Sequence, residues 1–178
     1  MSNRKLILYI AASLDGYIAT EDHNLDWLFS VDGDGDNGFS NFYETVDTFL
    51  IGRTTYDWIM KQENGNFPYK NKECYVFSRT YKNDNEFVKF INDDIISFVS
   101  TLKNKDGKDI WVVGGGELIH DLINEGLIDE FRITIAPVLI GKGIKLFKSN
   151  NIQTSLNLIN ITQYNQLVEL HYVTIKEV

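Results

Sequence analysis

The sequence holds one cysteine, three histidines and too few basic residues to balance its acids. A lone cysteine, Cys74, excludes an internal disulfide and fits a reducing compartment, so a cytoplasmic location is expected. It sits in the strand-like run Cys74-Tyr-Val-Phe77, where a buried structural thiol is the expectation rather than a nucleophile. Three scattered histidines beside one cysteine leave no metal-ligand spacing, so no metal is expected. The net charge of −8 argues against nucleic acid, whose phosphates demand a basic surface. No apolar run approaches the ~18 residues that span a membrane. The first residues, Met1-Ser-Asn-Arg-Lys5, run directly into a strand-like segment, so no signal peptide is expected. Linkers, internal repeats and low-complexity tracts are missing too, and residues 1–178 read as one domain. A hydrophobic content of 43%, with 13% aromatics, is ample for a packed core.

What is present is organised around Ile110-Trp-Val-Val-Gly-Gly-Gly-Glu-Leu-Ile119. The first four residues read as a short buried strand. Three glycines follow, and Glu117-Leu-Ile-His-Asp-Leu-Ile123 then takes up the apolar spacing of a helix. A strand that restarts as a helix exposes unpaired backbone N–H groups at the helix start. With the helix dipole, those donors suit a phosphate or pyrophosphate. The missing side chains of Gly114, Gly115 and Gly116 permit unusual dihedrals and let a flat ligand approach the backbone. A plain strand-to-helix turn is the competing reading. The spacing matches neither the Rossmann nor the Walker motif.

Upstream, Leu6-Ile-Leu-Tyr-Ile-Ala-Ala12 is a continuous apolar run, the mark of a strand covered on both faces. A turn at Asp15-Gly16 then breaks the chain, before a short extended piece resumes at Tyr17-Ile-Ala19. The loop Val31-Asp-Gly-Asp-Gly-Asp-Asn-Gly38 looks like a calcium loop but lacks the bidentate glutamate at its end. Residues 39–46 read as a short helix with Phe42, Tyr43 and Val46 on one side. Thr48-Phe-Leu-Ile51 is the next strand, and Gly52-Arg-Thr-Thr-Tyr56 opens a helix behind it, a second strand–glycine–helix junction. Tyr75-Val-Phe77 is another buried strand, with Ser78, Arg79 and Thr80 at its end. Val88-Lys-Phe-Ile91 reads as a short strand, and Asp93 or Asp94 caps a helix ending near Leu102.

Beyond the glycines, Glu130-Phe-Arg-Ile-Thr-Ile135 alternates like a strand, and Pro137 ends it. The apolar loop Val138-Leu-Ile-Gly-Lys-Gly143 suits packing against a second subunit, so a homodimer is expected. Residues 156–161 and 167–175 read as an antiparallel hairpin. Strands alternating with helices and closed by a hairpin give an α/β sandwich with a mixed sheet.

Ligands of such sheets lie beyond the carboxyl ends of the strands. Four polar breaks fall at such ends, at residues 11–16, 52–55, 78–80 and 114–117. Together they suit one long ligand bearing several phosphates. Arg53 and Arg79 are local positive charges in an acidic chain, and guanidinium groups match phosphate geometry. The constellation points to a dinucleotide. Trp27, Phe39 and Tyr43 suit either a pocket for a flat heterocyclic substrate or core packing.

These pieces resemble the dihydrofolate-reductase-like superfamily, and within it the family of the C-terminal reductase domain of the bifunctional riboflavin-biosynthesis deaminase/reductase. The resemblance rests on Ala11-Ala-Ser-Leu-Asp-Gly-Tyr-Ile-Ala19, Asp26-Trp-Leu28, Ile51-Gly-Arg-Thr-Thr-Tyr56, Ser78-Arg-Thr80, Val112-Val-Gly-Gly-Gly-Glu-Leu-Ile119 and the run from Ile128 to Gly143, in family order. It implies a three-layer α/β sandwich of the dihydrofolate-reductase-like fold, mainly parallel, with a C-terminal antiparallel hairpin. It also implies an NADPH-dependent reductase of a small heterocyclic or carbonyl substrate, pyrimidine-reductase-like. By the same resemblance Gly52, Arg53, Thr54 and Thr55 hold cofactor phosphates, and Ser78, Arg79 and Thr80 surround the 2′-phosphate that separates NADPH from NADH. Gly114 and Gly115 approach the nicotinamide through an unusual peptide bond, and Gly116, Glu117 and Leu118 bind pyrophosphate. Backbone groups near Ala12 hold the carboxamide, with Ile18 packing in the adjacent loop. Asp15 lies near the inferred nicotinamide, and Asp36 resembles the acid of dihydrofolate reductases, the expected catalytic residue.

Two departures stand beside the resemblance. Riboflavin-pathway reductases carry an arginine-rich helix that grips the substrate's ribose phosphate, whereas residues 39–46 hold no arginine or lysine. The proline-flanked tryptophan and substrate-binding arginine of dihydrofolate reductases have no counterpart. Dihydrofolate reduction therefore stands as an alternative, and a non-catalytic nucleotide-binding or dimerisation module as an alternative of another class.

Overall fold

The computed structural model describes residues 4–80, 83–149 and 152–176. The first apolar run forms strand β1 (Leu6–Ser13), whose side chains alternate between two layers. Leu6 and Leu8 enter one core, and Ile7 enters the other. A turn with Gly16 at φ +85° leads to β2 (Tyr17–Ala19). Two short helices follow, α1 (Asp26–Phe29) and α2 (Phe39–Thr45), and then β3 (Val46–Gly52) runs straight into α3 (Arg53–Gln62).

Strands β4 (Glu73–Phe77) and β5 (Lys89–Ile91) lead to α4 (Ile95–Lys103). The α4 helix is capped by Asp94, whose carboxylate accepts from the Ser97 amide at 2.8 Å. The glycine-rich stretch forms β6 (Asp109–Gly114) and α5 (Gly116–Asn124). Next come β7 (Glu130–Ala136) and the two-residue β8 (Ile144–Lys145). The chain closes with a hairpin of β9 (Leu156–Tyr164) and β10 (Leu167–Thr174).

One eight-stranded sheet has the order β5-β4-β3-β6-β1-β7-β10-β9. Its first six strands are mutually parallel, and β10 pairs antiparallel with both β7 and β9. Helices α4 and α5 cover one face around Val99, Leu102, Ile119 and Leu122. On the other face α2 and α3 pack Phe42, Tyr56 and Ile59 against Phe49, Val76 and Trp111. This is the expected three-layer α/β sandwich. Cys74 lies in the second core, where burial pushes its thiol up to about 12, the behaviour of a packing residue.

A carboxylate fastens the opposite end of the sheet. Asp129 accepts from the Leu6 amide at 2.8 Å and pairs with Lys103 at 2.5 Å and Lys176 at 2.9 Å. Burial acts to raise its pKa, but the Leu6 amide and the two ammonium groups outweigh it, and the carboxyl titrates below its ordinary range. A group with a folded pKa below its unfolded value adds stability at higher pH, lost as pH falls through the folded value. Asp129→Asn is therefore expected to cost about 2 kcal/mol at neutral pH. The variant should also lose less stability than the wild type when acidified below about pH 4. Urea unfolding at neutral and acid pH measures both effects, and identical acid sensitivity of the two proteins would contradict the assignment.

Candidate functional site

All the parallel strands end on one edge of the sheet, and the register decides which ends meet. Gly52 at the end of β3 pairs with Phe77 of β4, and Ile51 pairs with Gly114 of β6. The junctions after β3, β4 and β6 are therefore side by side. Above them lies a cavity of about 1210 Å³. Its wall includes Ile18, Gly52, Arg53, Thr54, Thr55, Ser78, Arg79, Thr80, Gly114, Gly115, Gly116, Glu117 and Leu118. The floor comes from Ile10 and Ala11 of β1 and Val113 of β6.

Two glycine turns meet back to back. A Cβ on Gly115 would lie 3.0 Å from the Gly52 Cα and 3.5 Å from the Thr55 hydroxyl, so only a bare backbone fits. Gly114 and Gly115 take φ of +145° and +104°, dihedrals that L side chains rarely adopt. No cis peptide occurs among the described residues, so these positive φ values, and not the unusual peptide bond implied by the resemblance, make the turn. Helices α3 and α5 both begin here without a side-chain cap. Their first amides are donors free for an anionic ligand.

Charge is distributed around this rim. The Arg53 guanidinium donates to Asp57 one helical turn on, at 2.7 Å, and lies over the Phe90 ring. Ser78 is buried, and its hydroxyl donates to the Thr80 carbonyl at 2.9 Å, curling residues 78–80 into a tight turn. Arg79 projects from that turn, exposed. Glu117, in the first turn of α5, is ion-paired with Lys148. That ammonium, with weaker help from Arg79, holds the Glu117 carboxyl below its usual range.

Other expected residues lie off the cavity wall. The Ala12 side chain is buried in the first core, and its neighbour Ala11 lines the cavity. Asp15 works as a loop clamp: it accepts from Ser13 at 2.6 Å and from the amides of Ile140 and Gly141 at 3.1 and 2.8 Å. The apolar loop expected to meet a second subunit is thus fastened to the β1–β2 turn. Asp36 accepts from the amides of Gly38 and Ser40 at 3.0 and 2.8 Å, steadying the start of α2. The Ser40 hydroxyl and amide hold its carboxyl below the ordinary range, which disfavours the protonated form.

Phe39 and Tyr43 pack against the second core, their rings 5.5 Å apart and each in contact with further core aromatics. Trp27 is half-buried, and its indole N–H has no partner among the described residues. Its flanking residues Leu25 and Leu28 line the cavity, but Trp27 does not.

The cavity also takes residues outside the expected set. Trp58, one turn beyond Thr55 on α3, and Asp121, one turn beyond Glu117 on α5, follow from helical spacing once the helices are placed. Tyr69 and Asp93 arrive from loops, Lys145 from β8 and Lys148 from just beyond it. Lys145 and Lys148 are carried by the β8 segment, which pairs with β2, so only the folded chain brings them to α5.

No helix among the described residues is long and apolar enough to cross a membrane. A solved dihydrofolate reductase from Enterococcus faecalis, complexed with NADP(H), matches at a TM-score of 0.61 with 15% identity, covering 97% of each chain, a likeness of fold alone. The solved "Putative riboflavin biosynthesis protein" of Shewanella sp. PV-4 matches at a TM-score of 0.88 with 31% identity, over 97% of this chain and 99% of that one. The uncharacterized protein YwjB of Bacillus subtilis strain 168 is 48% identical over 171 residues, 96% of this chain and 98% of its own. The family model of the RibD C-terminal domain matches residues 4–170, so nearly the whole chain carries its pattern. On sequence and fold together, the chain belongs to the RibD C-terminal domain family.

Proposed function

We propose that the cavity binds NADPH and that the chain is a reductase, transferring a hydride to a small heterocyclic or carbonyl compound. Within that class we favour a pyrimidine of the riboflavin pathway, as for 5-amino-6-(5-phosphoribosylamino)uracil reductases. One observation carries the reading: two uncapped helix starts, a buried serine turn bearing Arg79 and a bare glycine surface converge on one cavity of about 1210 Å³. Membership in the RibD C-terminal domain family and the NADP(H)-complexed fold relative support the same choice.

In this reading residues 52–55 and 116–118 take the cofactor's diphosphate through backbone amides. Ser78, Arg79 and Thr80 take the 2′-phosphate, where a guanidinium can bind two oxygens at once. Gly114 and Gly115 let the nicotinamide lie flat on backbone, with Ile10, Ala11 and Ile18 as its apolar bed. Bound NADPH supplies a hydride from its nicotinamide ring. The chain's own contribution is to fix that ring and keep water from the reacting face.

Substrate recognition departs from the arginine-rich pattern, because α2 offers no cation. The test is turnover: nicotinamide absorbance is followed with pyrimidine, pterin and quinone acceptors supplied in turn. Oxidation of NADPH by a pyrimidine acceptor, with NADH much slower, is the expected outcome. Tight NADPH binding without oxidation by any acceptor would contradict the reductase half and leave a nucleotide-binding module.

A further inference from the structure

We propose that Lys148 is a phosphate-binding residue of the cofactor cavity, whose ammonium also cancels the repulsion a phosphate would meet from Glu117. The inference rests on the NADPH reading and adds a ligand group to it. Three observations carry it.

Lys148 lines the cavity although it comes from the far side of the chain. Its position is built rather than incidental. The segment bearing it is pinned by the β2–β8 pairing, by the Leu146 amide donating to the Gly16 carbonyl at 2.9 Å, and by the buried Leu146 side chain. The same segment crosses the first turn of α5. A Cβ placed on Gly116 would lie 3.2 Å from Ile144 and 4.0 Å from the Lys148 Cε.

The third observation is electrostatic. Glu117 puts a carboxylate in the first turn of α5, where the chain otherwise offers amides to an anion. Alone it would repel a phosphate at that turn. Lys148 cancels that charge by direct ion pairing, and its three donors leave some for a second oxygen partner. Arg79 stands close enough to act on the same carboxylate. Among Glu117, Lys148 and Arg79 the net charge is one positive; without Lys148 the remaining two cancel. A partly exposed ion pair of this kind adds little to folding.

The phosphate concerned is the diphosphate common to NADPH and NADH, since Gly116 and Glu117 open α5. Lys148→Ala is therefore expected to weaken both nucleotides equally, by about tenfold. Lys148→Arg should restore most of the affinity. Glu117→Gln should tighten both about twofold to fivefold by removing repulsion and releasing the ammonium. The double variant should fall between the single ones. The readout is nicotinamide fluorescence titrated on folded protein, with circular dichroism confirming the fold of each variant.

Unchanged affinity in Lys148→Ala, with the wild type binding normally, would overturn this inference and leave the NADPH reading intact. A loss confined to NADPH would overturn the diphosphate assignment. Failure of the wild type to bind either nucleotide would remove the NADPH reading and this inference together.

Discussion

Replacing Arg79 with alanine is expected to raise the dissociation constant for NADPH by about 10- to 100-fold and to leave that for NADH within about twofold. The size follows from one charge-assisted contact to a phosphate, about 1.5–3 kcal/mol, at about 1.4 kcal/mol per factor of ten. Selectivity follows from place. Arg79 belongs to the turn closed by the Ser78 hydroxyl, which in the proposed reading takes the 2′-phosphate. Because the side chain is exposed, the effect should shrink as salt is added. Fluorescence titration of both nucleotides at low and high ionic strength measures it. An equal loss for NADPH and NADH would place Arg79 on the diphosphate instead, and no loss would remove it from the site.

Gly115→Ala should be the more damaging change. The residue sits at φ +104°, where an L side chain is strained by about 1–3 kcal/mol. Its new methyl would also lie 3.0 Å from the Gly52 Cα, which is backbone and cannot rotate aside. Relief requires the two glycine turns to separate, which moves the starts of α3 and α5 together. We expect a loss of about 2–3 kcal/mol in stability and of more than about 100-fold in NADPH affinity.

A control separates the two effects. Gly65 also has positive φ, +84°, but a Cβ there meets open space. Gly65→Ala should cost about 1 kcal/mol of stability and leave NADPH affinity unchanged. Urea unfolding and nucleotide titration of both variants make the comparison. Wild-type affinity in Gly115→Ala would show that the contact with Gly52 does not set the cavity.

Much of the fold was legible in the chain because its signals are local. Apolar runs marked β1, β3 and β6, and the glycines after Ile51 and Val113 marked the junctions that the sheet brings together. Adjacency of those junctions follows from parallel pairing, so residues 52–55, 78–80 and 114–118 line one cavity. Side chains whose partners are distant leave no local signal. Asp15-Gly16 looks like an ordinary turn, and nothing near it in sequence announces that the carboxylate clamps Ile140 and Gly141.

Phe39 and Tyr43 show a different difficulty. An aromatic wall and an aromatic core have the same composition, and only the packing around Trp111 and Phe49 decides between them. The place of Asp36 along the chain suggests a catalytic acid, whereas its hydrogen bonds belong to the start of α2. Lys148 carries no periodic signal at all, because it reaches α5 through the β2–β8 pairing and the Leu146–Gly16 contact.

The most direct measurement is a crystal structure of the protein grown with NADPH. A single extended nucleotide is predicted, with its diphosphate at the first turns of α3 and α5 and its 2′-phosphate among Ser78, Arg79 and Thr80. A nucleotide bound on another surface, or none at saturating concentration, would contradict the account.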